Sequence, residues 1–413
     1  MKALALDDAG LLQPDGQALK LPPKERAVLR LLLERAPGVV RKDEFARQAW
    51  AGRVMSDESL ARCISRVRQL LQPRGVQVEA VYGLGYRLMG QAASAQAAPP
   101  STQALDSHAH ARQLMQQRTP AAMGLAIDLL RTLVRDEPGF AMARVALADA
   151  LAIAVGWGQL ATPAAVEEGL AALEGVGGEL PGLHAARGAL LDMAWRFDEA
   201  GQCFEQALAA DGDGTDTLLA FARHLLYIDD AGQAVEKLRR VRELAPHALH
   251  VRMTLTRALV QSGRGAEAVA EAQATVSDNP GLLLTVAFSL AIQAMASPQP
   301  ELEAAALRLT QGLDTPPFVW TVASFVLSRL GRREATLDIV DTALLCSRTT
   351  AGEAALYAAP LAALGEHDRA AALLRAAVDE RCGMMAMVLR DPAHAHWLSR
   401  HPAGQALLKD VFG

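Results

Sequence analysis

A mainly α-helical protein with a small α+β domain at its N-terminus is predicted by three features of the 413-residue sequence. The first is composition. Hydrophobic residues make up 51% of the chain but aromatic ones only 4%, so the apolar share rests on Ala and Leu, the strongest helix formers. The second is charge. Residues 1–90 hold 15 Lys+Arg against 10 Asp+Glu, a net of +5, which leaves −10 for the other 323 residues. The third is a period: Ala200, Ala234 and Ala268 stand 34 residues apart, and Gly212, Pro246 and Pro280 repeat the step 12 residues later. Stacked pairs of antiparallel helices have this spacing, with small residues where helices cross and Gly or Pro ending each second helix.

These features divide the chain into a domain at 1–90, a linker at 91–107 and a helical repeat domain at 108–413. The stretch QAASAQAAPPSTQAL (91–105) carries no charge and is built from linker residues. Within 1–90, apolar alternation at 3–6 and 19–21, broken by Asp15-Gly16, predicts short strands. A helix opens at Pro22-Pro23, carries Val28, Leu31 and Leu32, and stops at Pro37-Gly38. A second, short helix is expected from about 42 to 50. The third is capped by Ser56 or Asp57 and has an apolar stripe of Leu60, Cys63, Ile64, Val67, Leu70 and Leu71. Residues 76–81 and 86–88, around Gly83 and Gly85, read as a hairpin.

The helical spacing puts Arg62, Ser65, Arg66 and Gln69 together opposite that stripe. Arg pairs bidentately with guanine and Gln with adenine, while Ser and Arg hold phosphates, so this face fits the major groove of duplex DNA. Ordinary solvation of a wet helix face is the competing reading. The basic hairpin beside the helix favours DNA. Arg68, Lys42, Tyr82 and Arg87 are the flanking candidates.

The runs LPPKERAVLRLLLERAPGVVRKDEFARQAW, SDESLARCISRVRQLL and VEAVYGLGYRL resemble the winged-helix effector domain of OmpR/PhoB-type transcription regulators. The resemblance covers about residues 1–90. It implies that residues 57–71 enter the major groove, that the hairpin around 82–86 follows the adjacent minor groove, and that the loop 51–55 meets RNA polymerase, which favours activation. Many members carry Arg where Tyr82 stands, so Arg87 is the expected phosphate contact. Response regulators of this type carry a phospho-acceptor receiver domain before the winged helix; here the winged helix is read from residue 1, so control by aspartyl phosphorylation within this chain is not expected, and the arrangement is similar to one-component regulators of the HilA/CadC kind. Residues 91–107 are not the membrane span of the CadC-like members.

In the second part, FDEAGQCFEQALAADG (197–212) resembles the second half of the tetratricopeptide motif, and Gly188 matches the small residue of its first helix. Looser copies lie at 126–138, 331–344 and 365–378, and GWGQLATPAAV (156–166) interrupts the frame. The 34-residue step places Arg223 and Arg257 on one wall, with Asp192, Met193, Leu226, Tyr227 and Gln261. Two stacked arginines beside Tyr227 would grip an acidic peptide or a small anion. The plainer reading pairs each with an acidic neighbour inside the array, and it is the favoured one.

Other chemistry is sparse. Cys63, Cys203, Cys346 and Cys382 are scattered and make neither a disulfide framework nor a zinc motif. His394, His396 and His401 cluster in RDPAHAHWLSRHP, which reads as a closing piece with Trp397 and Leu407 covering the last helical face. No P-loop, dinucleotide fingerprint, G-x-S-x-G or HExxH is present, so neither an enzyme nor a cofactor is expected. The start lacks a signal-peptide core, and the apolar stretch 282–296 is too short for a bilayer. The expectation is a cytoplasmic transcription regulator that binds promoter DNA, its array sensing a protein or small ligand or forming a homodimer. The alternative is a repeat adaptor with a nonspecific basic domain.

Overall fold

The computed structural model describes residues 11–12, 18–19, 21–35, 38–50, 55–72, 77–81, 84–89, 100–177, 180–212, 214–311, 316–345 and 350–413. The chain divides into two compact units, 1–101 and 102–413.

In the first unit, β1 (Leu11–Leu12) pairs antiparallel with β2 (Ala18–Leu19). Helix α1 (Pro23–Arg35) starts on proline, whose missing N–H costs nothing in a first turn, and buries Val28, Leu29, Leu31 and Leu32. After it come β3 (Val39–Arg41) and α2 (Lys42–Gln48), where Glu44 reaches back to accept the Arg41 N–H at 2.9 Å. Helix α3 (Asp57–Leu71) is capped by Ser56, whose hydroxyl accepts the Ser59 N–H. Strands β4 (Gln77–Val81) and β5 (Gly85–Met89) form the hairpin, and β3 adds to its other edge in the order β3-β5-β4, all antiparallel. Strand β3 lay unread in the sequence, because three residues after a helix stop carry no periodicity. A Cβ on Gly85 would collide with the Val40 carbonyl oxygen, so glycine is what lets β5 lie against β3. The core closes on Phe45, Leu60, Ile64, Val67, Leu71, Val78 and Leu88.

The second unit is a stack of helical hairpins: α4 (Thr102–Gln116) with α5 (Pro120–Asp136), α6 (Ala141–Gly156) with α7 (Thr162–Ala172), and α8 (Leu183–Met193) with α9 (Phe197–Asp211). The pairs α10 (Thr215–Tyr227) with α11 (Ala231–Leu244) and α12 (Leu249–Gln261) with α13 (Gly265–Asp278) follow. Next come α14 (Leu283–Ala296) with α15 (Glu301–Leu309) and α16 (Pro317–Arg329) with α17 (Arg333–Leu345). A broken first helix, α18 (Ala351–Ala355) and α19 (Ala358–Ala363), packs on α20 (His367–Asp379). The chain ends with α21 (Met385–Leu389), α22 (Pro392–Leu398) and α23 (Pro402–Phe412). Helix α4 begins at Thr102, inside the stretch 91–107 read as linker.

The 34-residue step runs further than the three alanines. Helices α10, α12, α14, α16 and α18 start at Thr215, Leu249, Leu283, Pro317 and Ala351, each 34 residues after the one before. Ala200, Ala234 and Ala268 are fully buried, as close helix crossings require. Gly188 has the same role on α8, where any Cβ would meet the Phe204 ring. The architecture is a winged helix-turn-helix followed by a tetratricopeptide-like α-solenoid. Among the described residues no helix is long and apolar enough to cross a membrane, and no cluster of metal-ligating side chains is found.

Candidate nucleic-acid interface and the wall of the array

The amphipathic sequence of α3 decides which of its side chains meet solvent. Leu60, Cys63, Ile64, Val67 and Leu71 are buried, so Arg62, Ser65, Arg66 and Gln69 emerge together on the exposed side. None of the cations is bare. Arg62 pairs with Glu58 one turn back. The Arg66 Nη1 donates to Glu25 Oε1 on α1 at 2.8 Å, and that carboxylate is only 8% exposed. Lys42 donates to Asp57 at 2.8 Å, a bond that raises the pKa of the ammonium group. Arg87 on β5 faces Glu79 on β4 across the ladder and binds it at 2.7 Å.

Arg68 takes a different place. Its Nε donates to the Val78 carbonyl at 2.7 Å and its guanidinium lies over the Tyr86 ring, 6.0 Å from the centroid. It therefore fastens the hairpin to α3, a structural contact that the sequence reading assigned to DNA. Tyr82 and most of the loop 51–55 lie outside the described residues. Glu25 is the residue that sequence reasoning missed, for it stands 41 positions from Arg66 and nothing in the spacing links them.

On the array, Arg223 and Arg257 both act on Tyr227, whose pKa burial raises and the two arginine charges lower. The Arg257 Nη2 donates to the Met387 carbonyl at 2.6 Å and lies 3.5 Å from Asp391. The Arg390 Nε donates to the Tyr227 carbonyl at the end of α10, and its Nη1 lies 3.3 Å from Asp229. A cation at a helix C-terminus meets unsatisfied carbonyls and the negative end of the helix dipole. The Gln261 amide donates to the Leu226 carbonyl at 2.9 Å and to Asp229. Further along, the Gly383 N–H donates to Thr162 Oγ1 at 2.7 Å, and a Cβ on Gly158 would meet Met384 Sδ. The chain's own residues 383–391 thus occupy the wall where Tyr227, Arg257 and Gln261 were expected to meet a partner. The interruption at 156–166 is their landing site. Asp192 is buried against His224 Nδ1 at 2.7 Å, and burial pushes its carboxyl up to about 6.

The C-terminal histidines are structural groups. His394 is buried and accepts the Trp397 indole N–H on Nδ1 at 3.2 Å, while burial holds its pKa down at about 4. His367 stacks on Trp397, and His401 sits 3.4 Å from Asp368. Trp397 and Leu407 are buried in the terminal cluster.

Residues 16–88 match the family described as "Transcriptional regulatory protein, C terminal". The transcriptional regulator HilA of Salmonella typhimurium is 38% identical over 94 residues, which cover 21% of this chain and 17% of that protein. The transcriptional regulatory protein TctD of Salmonella typhimurium is 34% identical over 86 residues, 21% of this chain and 38% of that one. This chain therefore matches well under half the length of either relative. Among solved structures, a tetratricopeptide repeat protein from Parabacteroides merdae superposes with a TM-score of 0.43 at 11% identity, covering 62% of this chain and 98% of its own. The N-terminal unit is a regulator DNA-binding domain of the OmpR/PhoB type.

Proposed function

We propose that the chain is a one-component, sequence-specific transcription regulator that binds duplex promoter DNA through α3 and governs that binding through its repeat array. The observation that carries this reading is the exposed face of Arg62, Ser65, Arg66 and Gln69, backed by a fully apolar stripe in a domain of regulator type. Arg66 and Gln69 read base edges in the major groove, and Arg62 and Ser65 hold phosphates. Lys42 and Arg87 add phosphate contacts from α2 and the hairpin. Their carboxylate partners Glu58, Asp57 and Glu79 are exposed, so phosphate replaces them at little cost.

The resemblance of residues 51–55 to a polymerase-contacting loop supports activation rather than repression. The array supplies sensing or self-association and makes the protein a binding chain, not an enzyme, that works in the cytoplasm. Selection of bound sites from randomised duplex DNA with the full chain tests the reading. A defined motif is expected; retention without sequence preference would leave an adaptor with a nonspecific basic domain.

A further inference from the structure

The turn inside a hairpin of the array takes a left-handed residue, and the sequence fills that position unevenly. Gly263, Gly331 and Gly365 supply it with φ between 72° and 82°, just past a helix end, where any side chain is strained. Ser297, which falls on the same 34-residue step, is extended at φ −157°. In the third and fourth hairpins the step falls on Trp195 at φ 62° and Asp229 at φ 69° instead. The end of α20 repeats the exception with Arg381 at φ 54°.

All three side chains are used at one joint. The Arg381 guanidinium lies over the Trp195 ring, 5.4 Å from its centroid. Asp229 lies 3.3 Å from Arg390 Nη1, while Arg390 Nε donates to the Tyr227 carbonyl at 3.1 Å. Between these anchors the Gly383 N–H reaches Thr162, and Arg257 holds the Met387 carbonyl. Gly383 has no room for a side chain: a Cβ there would stand 2.8 Å from Val155 Cγ1 and 3.0 Å from the Met193 carbonyl oxygen. The apolar residues of the segment belong to another core. Met384, Met385, Val388 and Leu389 are buried with Leu374 and Leu407 of the last helices, whereas α4 to α8 close on a core of their own. Two separately closed cores thus meet through cation, carbonyl and ring contacts. The fit is incomplete, for Trp195 Nε1 and Gln261 Oε1 are buried without a hydrogen-bond partner among the described residues.

Strain kept where glycine would be free marks side chains that have a task. A polar joint between separate cores is made or broken as a unit, without melting either core. We propose that residues 381–390 are a latch, that Trp195 and Asp229 are its docking residues, and that the array is a two-state device, closed at rest, whose release opens the wall of Tyr227, Arg257 and Gln261 to a partner segment. The partner must offer what the latch offers: a basic side chain for Asp229 and the Tyr227 carbonyl, and a backbone carbonyl for Arg257. The inference deepens the reading of the array as the sensing part of a regulator, and its meaning for regulation rests on that reading.

Hydrogen exchange of the full chain, read by mass spectrometry on fragments spanning 381–391, tests the latch. The double variant Trp195→Gly, Asp229→Gly separates the two roles of these residues. As mere turn formers they would be relieved by glycine, and protection would hold or rise everywhere. As docking residues they would be missed: exchange at 381–391 should rise at least tenfold while fragments of α8 to α11 exchange as in the parent. Gly383→Ala wedges the joint from the other side, leaves both turns intact and should give the same pattern. A labelled peptide copying residues 381–391, with Cys382→Ser, should then bind Gly383→Ala at least tenfold more tightly than it binds the parent, and adding Asp229→Gly should abolish the gain. Parent-like exchange at 381–391 in either variant, loss of protection through the whole array in both, or no gain in peptide binding would each overturn the proposal. DNA-site selection on the same proteins keeps the two readings apart: a latch without a DNA motif sinks the regulator and leaves the latch standing, and a motif without a latch sinks only the latch.

Discussion

The basic face of the N-terminal unit and the inner arginines of the array handle positive charge in opposite ways. On α3 and the hairpin, Arg62, Arg66, Lys42 and Arg87 each rest on a carboxylate, yet all remain open to solvent to some degree. Inside the array, Arg257 is bound by a backbone carbonyl and Asp391, while Arg118 buries its Nε without an acceptor among the described residues. Exposed pairs are held at low cost and are exchangeable, which suits a surface that must accept phosphates from many directions. Half-buried cations are expensive to leave alone and expensive to disturb once bound. The contrast separates a surface built for exchange from an interior built for fixed contacts.

The contrast is broken most forcefully at the closing segment. Replacing Arg257 and Arg390 together by Ala should remove on the order of 3 kcal/mol from the array, since bonds from a charged donor to part-buried carbonyls contribute about 1.5–3 kcal/mol each. Urea unfolding of the double variant measures this, and a loss below about 1 kcal/mol would mean that the segment is merely laid on the wall.

Acid should act on the same interior. An unfolded imidazole takes its proton near pH 6.5, but folded His394 does so only near 4, so between those values the unfolded chain binds the extra proton. Stability should fall as pH drops from about 6.5 to about 4, by up to about 3 kcal/mol for this group. Melting curves of the parent and of His394→Gln across that range check it: the variant should show the shallower dependence. Protonation also costs the Trp397 hydrogen bond, so indole fluorescence should change over the same window.

On the DNA face the effects are smaller and differ in kind. Arg66→Ala should cost about 1–3 kcal/mol on the selected site and relax its sequence preference. Because that change also strips Glu25 of its partner, Glu25→Gln is the control: it frees Arg66 without removing it and should preserve selectivity. Arg87→Ala should weaken all sequences alike in competition band shifts and lower the salt dependence by about one phosphate contact. Smallest of all, Arg62→Ala should change folding stability by less than about 0.5 kcal/mol, for the Glu58 pair is exposed on both sides.

Legibility in the sequence followed the same divide. The α3 stripe, the hairpin and the alanines at 34-residue spacing were readable because each is a local pattern with a fixed period. Later first helices such as α16 were harder, since a helix covered on most sides shows no polar face to mark its phase. Contacts set by closure were not readable at all. Nothing near Arg257 announces Met387, 130 residues away, and nothing near Arg118 announces a left-handed turn residue at φ 52° that sets it among Arg112, Asp149 and Arg223. Arg68 shows the converse, for it lies beside the reading face in sequence and its Nε turns to the hairpin in space.

The bond from Gly383 to Thr162 joins residues 221 apart in a type of fold whose contacts are otherwise between neighbours. An open solenoid grows as its chain emerges from the ribosome, each hairpin settling on the last, and it can fray from either end. This one cannot finish that way. Its final contact waits until residue 383 has been made and then ties the late hairpins to the second one, so the turns that it joins must loosen together. Shortening the chain by its last thirty or so residues would thus do more than trim an end: it would return the array to piecemeal melting, hairpin by hairpin.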